Sequence, residues 1–262
     1  MESTEALLVA FDAQARAEPP DPPAGVWHEA DGPVVRVVGQ ERGFVSAPRD
    51  TGVRGADLDR LITRQRDYFA ARGEAVEWKT YGYDEPADLP DRLRAAGFVP
   101  EDPETVVVAL TTAIATEPVL PDGVVLRQVT ADGDMHRIGA MESEVWHTDR
   151  DWAAGHLIRE VAAAPEEYIV LTAEAAGRVV AAGWLEMRPG SQFAGLWGGA
   201  TLAEWRGRGI YRALVARRAQ LAAARGIRYL QVDASSDSAP ILQRLGFQPL
   251  AITTPYVWTP RR

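Results

Sequence analysis

One stretch of this sequence leaves few folds open to the chain: an apolar strand, a glycine–arginine turn and a long helix in direct succession. FAGLWGGATL (193–202) reads as a buried strand. Glu204-Trp205-Arg206-Gly207-Arg208-Gly209-Ile210-Tyr211 follows, and RALVARRAQLAAARG then holds a helical pattern without a break. A turn of this kind is a device for holding an anion. The first N–H groups of a helix lack intrahelical partners, and the helix dipole adds partial positive charge at the same place. Gly207 and Gly209 let the backbone approach a ligand closely, and Arg206 and Arg208 add forked cationic donors suited to phosphate oxygens. A diphosphate is the guest this arrangement asks for.

Composition narrows the function classes. A net charge of −9 over 262 residues argues against nucleic acid or an anionic membrane as partner. Arg206, Arg208, Arg212, Arg217 and Arg218 instead form a local basic patch on an acidic background, which suits a small anion. The chain has no cysteine, which removes disulfides, thiolate metal sites and a cysteine nucleophile. His28, His136, His147 and His156 show no metal-ligand spacing, so no metal is expected. There is no G-x-S-x-G elbow and no G-x-x-x-x-G-K-[ST] loop. The N-terminus carries Glu2 and Glu5 where a signal peptide wants positive charge, and no run is long enough to span a membrane. A cytoplasmic protein is expected.

In order, the patterns predict a helix over 3–17, an extended connector at 18–25 (EPPDPPAG), strands at 34–38 and 43–47, and a helix over 56–72 closed by Gly73. A strand at 75–81, a short helix near 87–96 and a strand at 104–110 complete the first half. After a pause at 112–123, the second half predicts a strand at 124–129 and helical segments from 132 to 164, interrupted around His147–Asp151. A hairpin follows at 168–187, then the strand and helix of the turn, a strand at 227–234, a short helix and a closing strand at 251–258.

The halves repeat each other. Ala70-Ala71-Arg72-Gly73 before a strand matches Ala223-Ala224-Arg225-Gly226 before a strand, and DLPDRLRAAGFVP (88–100) matches DSAPILQRLGFQP. Two copies are too few for a solenoid, so the reading is a duplicated domain, divided as 1–115 and 116–262. Where the second copy has Arg206-Gly207-Arg208-Gly209, the first has Val53-Arg54-Gly55-Ala56, without the paired arginines.

The order strand, R-x-x-G-like turn, helix, strand and short L-G-F helix resembles the GNAT superfamily of acyl-CoA-dependent N-acyltransferases, most closely over 195–248. The resemblance implies an α/β fold with a mixed sheet in which two neighbouring parallel strands, here 193–202 and 227–234, splay to admit acyl-CoA. It implies two tandem GNAT-like domains, the first degenerate. By position it assigns the CoA pyrophosphate to Arg206, Gly207, Arg208, Gly209, Ile210 and Tyr211, and the thioester arm to backbone groups of Thr201 and Leu202. Two departures stand out: Tyr211 replaces the last small residue of the loop, so its ring must point away from the phosphates, and Leu242 stands where many relatives carry an acidic tyrosine.

Acyl transfer to an amine needs a base, since an alkylammonium has a pKa of about 10, donors for the developing oxyanion, and a departing thiolate. A backbone N–H near Thr201–Leu202 is the expected oxyanion donor. Glu186 is the preferred base, with Asp233, Glu142 and Glu144 as neighbours of lesser claim; Asp233 is expected to cap the turn into Ser235-Ser236. Tyr256 is the candidate acid. Trp146, Trp152 and Trp197 are candidate walls of an acceptor pocket. The expected activity is transfer of acetyl from acetyl-CoA to the primary amine of a small molecule or peptide, and a homodimer is compatible with the sequence. A non-catalytic acyl-CoA sensor is the alternative.

Overall fold

The computed structural model describes residues 3–16, 22, 25–40 and 42–260. The connector expected at 18–25 lies almost wholly outside them. The chain falls into two compact units, Met1–Val107 with Asp233–Arg244 and Gln248–Arg262, and Val108–Val232 with Leu245–Phe247.

In the first unit, helix α1 (Thr4–Phe11) is capped by the Ser3 hydroxyl and runs into a π-helical turn, Asp12–Arg16. Strands β1 (Trp27–Asp31), β2 (Val34–Val38) and β3 (Arg42–Ser46) form an antiparallel meander. Helix α2 (Gly55–Arg72) then crosses to β4 (Ala75–Tyr81), which pairs parallel with β3. Gly73 ends α2 in the left-handed region, as a C-terminal glycine should. Helix α3 (Leu89–Ala95), the short β5 (Val99–Pro100) and β6 (Glu104–Leu110) follow. The chain's last strand, β12 (Gln248–Trp258), pairs antiparallel with β4 and β5. The core packs the α2 stripe Leu58, Leu61, Ile62 and Phe69 against Val45, Val76 and Trp78 of the sheet.

The second unit opens with the one-turn helix α4 (Thr111–Ile114) and β7 (Val124–Val129). Helices α5 (Asp132–Trp146) and α6 (Asp151–Ala163) break at His147, which is left-handed (φ 54°). Strands β8 (Tyr168–Ala175), β9 (Arg178–Met187) and β10 (Phe193–Thr201) continue the antiparallel run from β7. Helix α7 (Ile210–Ala224) crosses to β11 (Tyr229–Ala234), which pairs parallel with β10. Helix α8 (Ala239–Arg244) follows β11 in sequence. Each half of the chain thus builds an antiparallel run, then a parallel pair joined by a long helix, then a short helix and a last strand, so the repeat read in the sequence is a repeat of elements. The sheets are mixed in both units, as expected.

Candidate functional site

The anion loop forms as its sequence demands. β10 ends at Thr201, and the Leu202 N–H donates to the Val180 carbonyl at 3.0 Å. A 3₁₀ turn, Ala203–Trp205, leads to Arg206, whose Nε donates to the Thr201 carbonyl at 3.0 Å. That bond staples the loop to the end of the strand and leaves the two Nη groups of Arg206 without a protein acceptor among the described residues. Gly207 and Gly209 have φ of +73° and +85°, a region costly for other residues. The first intrahelical bond of α7 runs from Ala213 N–H to the Gly209 carbonyl. Among the described residues, the N–H groups of Gly207, Arg208, Gly209 and Ile210 donate to no protein acceptor. Four donors, a helix dipole and a clamped guanidinium therefore converge on one exposed turn. Arg208 stands with its guanidinium 4.8 Å from the centre of the Trp205 ring.

The Tyr211 ring turns to the sheet. A Cβ built on Gly199 would lie 2.9 Å from its Cε2, so the ring packs on the β10 backbone, away from the loop amides. That close approach falls at a bulge: β10 pairs Gly198 with Gly183 but Ala200 with Ala182, leaving Gly199 extra, and both Gly198 and Gly199 have positive φ.

The parallel pair parts early. β10 and β11 are in register only from Phe193 to Gly195 against Tyr229 to Gln231, although β10 runs on to Thr201. Where they part, polar atoms go unsatisfied: Trp197 Nε1, Thr201 Oγ1 and Gln231 Oε1 are buried without a hydrogen-bond partner. Native interiors rarely leave such atoms unpaired, and a polar ligand is one explanation. A Cβ on Gly195 would lie 2.5 Å from Trp197 Nε1 and 3.3 Å from Gln231 Nε2. The missing side chain at Gly195 is what leaves room for the indole and the amide over the strand.

On this same face the register lines up a transverse row, Tyr168 on β8, Glu186 on β9, Gly195 on β10 and Gln231 on β11. Glu186 accepts from Arg188 Nε at 3.1 Å. Tyr168 Oη lies 3.3 Å from His156 Nε2 on α6, and burial raises the phenol well above its usual range. Burial, then Arg159, pushes the His156 imidazole down, which favours its neutral form. Burial likewise raises the Glu160 and Glu142 carboxyls, and Arg150 partly offsets the second. His156 and Tyr168 carried no motif in the sequence; strand register sets Tyr168 beside Glu186, and α6 brings His156 to Tyr168.

Other expected residues lie elsewhere. Tyr256 is 3% exposed in the first unit's core with Trp78, Leu93 and Phe98, and Arg94 covers its ring. That burial withdraws it as a proton donor. Asp233 does not cap the Ser235-Ser236 turn: its Oδ2 is 2.9 Å from Lys79 Nζ and its Oδ1 is unpaired. Leu202 N–H, engaged by Val180, is no free oxyanion donor. Glu144 pairs with Arg178 at the surface. Trp146 and Trp152 are exposed on either side of Arg150.

The turn before α2 in the first unit carries a carboxylate of its own. Asp50 Oδ1 accepts from the Gly52 N–H and from Arg54 Nη1, each at 2.8 Å, and Oδ2 accepts from Arg54 Nη2 at 3.0 Å. The Arg54 and Gly52 bonds hold the Asp50 carboxyl at about 2. The carboxylate thus takes one backbone donor of this turn, the Gly52 N–H, together with the Arg54 guanidinium.

Residues 134–247 match the profile of the acetyltransferase (GNAT) family. This part of the chain is a GNAT domain. The fold of the whole chain agrees with solved GNAT structures. A GCN5-related N-acetyltransferase from Kribbella flavida aligns with TM-score 0.67 and 17% identity over 99% of this chain and 95% of its own. A tandem GNAT protein from the clavulanic acid biosynthesis pathway aligns with TM-score 0.63 and 14% identity, covering 98% and 94%. A GCN5-related N-acetyltransferase from Sphaerobacter thermophilus gives 0.60 and 18%, covering 99% and 92%. No curated protein matches the sequence. At these identities the likeness concerns the fold. No described helix is long and apolar enough to cross a membrane, and no group of three or more His, Asp or Glu side chains suited to a metal occurs among the described residues.

Proposed function

We propose that the second unit transfers an acetyl group from acetyl-CoA to a primary amine. The observation that carries this reading is the set of unpaired polar atoms beside the loop. Four backbone donors and Arg206 await a diphosphate, while Trp197 Nε1, Thr201 Oγ1 and Gln231 Oε1 lie unpaired where β10 leaves β11. In this reading the pyrophosphate sits on Arg206 to Tyr211 and the thioester arm enters between the two strands. The amine approaches over the row Tyr168–Glu186–Gly195. Glu186, one strand from Gly195, takes the ammonium proton, with neutral His156 next in line. The nitrogen attacks the thioester carbon, and the buried Thr201 hydroxyl, free of any protein partner, replaces Leu202 N–H as the donor to the oxyanion. The C–S bond then breaks, and the nitrogen's second proton ends on the CoA sulfur through water, since Tyr256 is enclosed and Leu242 carries no proton.

The test is calorimetry with acetyl-CoA followed by thiol release against a panel of amines. Micromolar binding with amine-dependent thiol release is the expected result; no binding at millimolar acetyl-CoA refutes the site. Leu242, fully buried in α8, favours a second reading, an acyl-CoA-binding protein without turnover. Binding without thiol release on any amine selects it.

A further inference from the structure

Arg218 is a charge placed where packing alone asks for none. It is 1% exposed on α7, and no carboxylate pairs with it among the described residues. Burial pushes its guanidinium down to about 10. Its partners are backbone carbonyls. Nε donates to Leu214 one turn back in the helix at 3.1 Å, and Nη1 donates to Trp184 and Trp197 at 3.1 and 3.0 Å.

Those last two residues face each other across β9 and β10, and the next pair, Gly183 with Gly198, is the last before the register slips at Gly199. The guanidinium therefore stands at the root of the bulge. Glycines make the room. A Cβ on Gly183 would lie 2.9 Å from Arg218 Nη1, and one on Gly198 would lie 2.4 Å from the Trp184 ring. A bulge interrupts the ladder and leaves backbone groups to find other partners. A buried apolar residue would fill the space between helix and sheet at lower desolvation cost. What it would not supply is a donor to both carbonyls.

The consequence runs along the strand. Past the bulge, β10 reaches Thr201, whose carbonyl is the acceptor for Arg206, and over this same run β10 has already left β11. We propose that Arg218 is a positioning residue of the acyl-donor site: by tying the Trp184 and Trp197 carbonyls it fixes the bulge, and so the course of β10 from Gly198 to Thr201. The loop amides at the start of α7 do not depend on it. The kinetic part of the proposal rests on the acyl transfer proposed above; the structural part does not.

Arg218→Met and Arg218→Lys are compared with wild type in two measurements. In the first, amide hydrogen exchange of the free protein is followed by mass spectrometry. Peptides over 197–202 should exchange at least about tenfold faster in folded Arg218→Met, with the first unit unchanged. In the second, CoA affinity and kcat are measured together. CoA binding should weaken by less than about tenfold, through the Arg206 staple on Thr201, while kcat falls further, by roughly tenfold to a hundredfold, the scale of a reacting group misplaced by about 1 Å. Lysine should recover little, because one ammonium cannot reproduce the planar fork. Millimolar guanidinium should restore part of kcat to Arg218→Ala, and methylammonium should not. Unchanged exchange over 197–202 in a folded Arg218→Met protein overturns the proposal, as does a kcat within threefold of wild type. If Arg218→Met does not fold, Arg218→Lys decides on the same two measurements. A wild type that releases no thiol with any amine refutes the transferase reading alone, and hydrogen exchange still decides Arg218.

Discussion

Arg206 offers the sharpest test of how the loop would hold its ligand. Its Nε is spent on the Thr201 carbonyl, so the side chain is pinned at one end and presents Nη1 and Nη2 to the turn. Two charge-assisted bonds to phosphate oxygens, at about 1.5–3 kcal/mol each, set an upper range of about 3–6 kcal/mol. The side chain is exposed, and solvent screening roughly halves such a figure. The remaining loss of about 1.5–3 kcal/mol corresponds to roughly 10- to 100-fold weaker binding for Arg206→Ala. Arg206→Lys keeps the charge but loses both the staple and the fork, so it should fall between, about three- to tenfold weaker than wild type.

The assay is titration calorimetry with two ligands, CoA and pantetheine, which lacks the diphosphate. Arg206→Ala should weaken CoA and leave pantetheine unchanged. The difference between wild type and variant should shrink in 1 M salt, where the screening length falls to about 3 Å. Equal affinity of wild type and Arg206→Ala for CoA refutes the placement of the diphosphate. Equal loss for both ligands means instead that the substitution has moved the end of β10.

Further outcomes follow from the same geometry. Arg208→Ala should weaken CoA less than Arg206→Ala does, because Arg208 is held beside Trp205 rather than by the strand end; the reverse order in calorimetry refutes this. Gly199→Ala must adopt a φ of +76° and bring a methyl to 2.9 Å from the Tyr211 ring, so urea unfolding should show a loss of about 2–3 kcal/mol; a loss below about 0.5 kcal/mol contradicts the packing described. The Asp50 carboxyl should titrate at about 2 by carbon NMR and move toward 3.8 in Arg54→Ala. Because its folded value is depressed, its contribution to stability is present above about pH 4 and is lost as pH falls toward 2. A normal Asp50 titration removes this reading of the turn. Calorimetry should also return one CoA per chain, and two would show that Asp50 does not close the first turn.

Most of the fold was legible because its elements are strongly patterned. The helix expected at 56–72 is Gly55–Arg72, and the interruption expected around 147–151 is the His147 break between α5 and α6. β1 was missed: WHEAD is polar and sits at the edge of its sheet, where one row of backbone groups meets solvent and no apolar run is needed. The loop was legible because glycine spacing and charge are local properties. The proton chemistry was not, because Tyr168 and Glu186 meet only through strand register and His156 only through the packing of α6 on β8. Tyr256 misled for the converse reason: nothing local separates a tyrosine that closes a core from one that lines a pocket. Arg218, counted in the sequence with the basic patch, is buried against the bulge instead, and the double glycine of WGGATL was the one sequence sign that backbone and side chain approach closely there.

The contrast between the copies shows which features accompany the candidate site. Both units hold a parallel strand pair bridged by a helix. In the first, β3 pairs with β4 over four of its five residues with no slip, and Asp50 holds the Gly52 N–H and Arg54 in the turn before α2. In the second, β10 leaves β11 after three pairs, the bulge at Gly199 redirects it, a buried arginine braces the bulge, and the turn before α7 is left unsatisfied. The sequence comparison shows only the arginine difference in the turns. Restoring those arginines to the first unit would therefore not create a site, since its strands stay paired and Asp50 already holds the Gly52 N–H and a guanidinium there. The paired arginines of the turn, the parted strands and the braced bulge occur together in one copy and are absent together from the other, which is the pattern expected if they serve a single ligand.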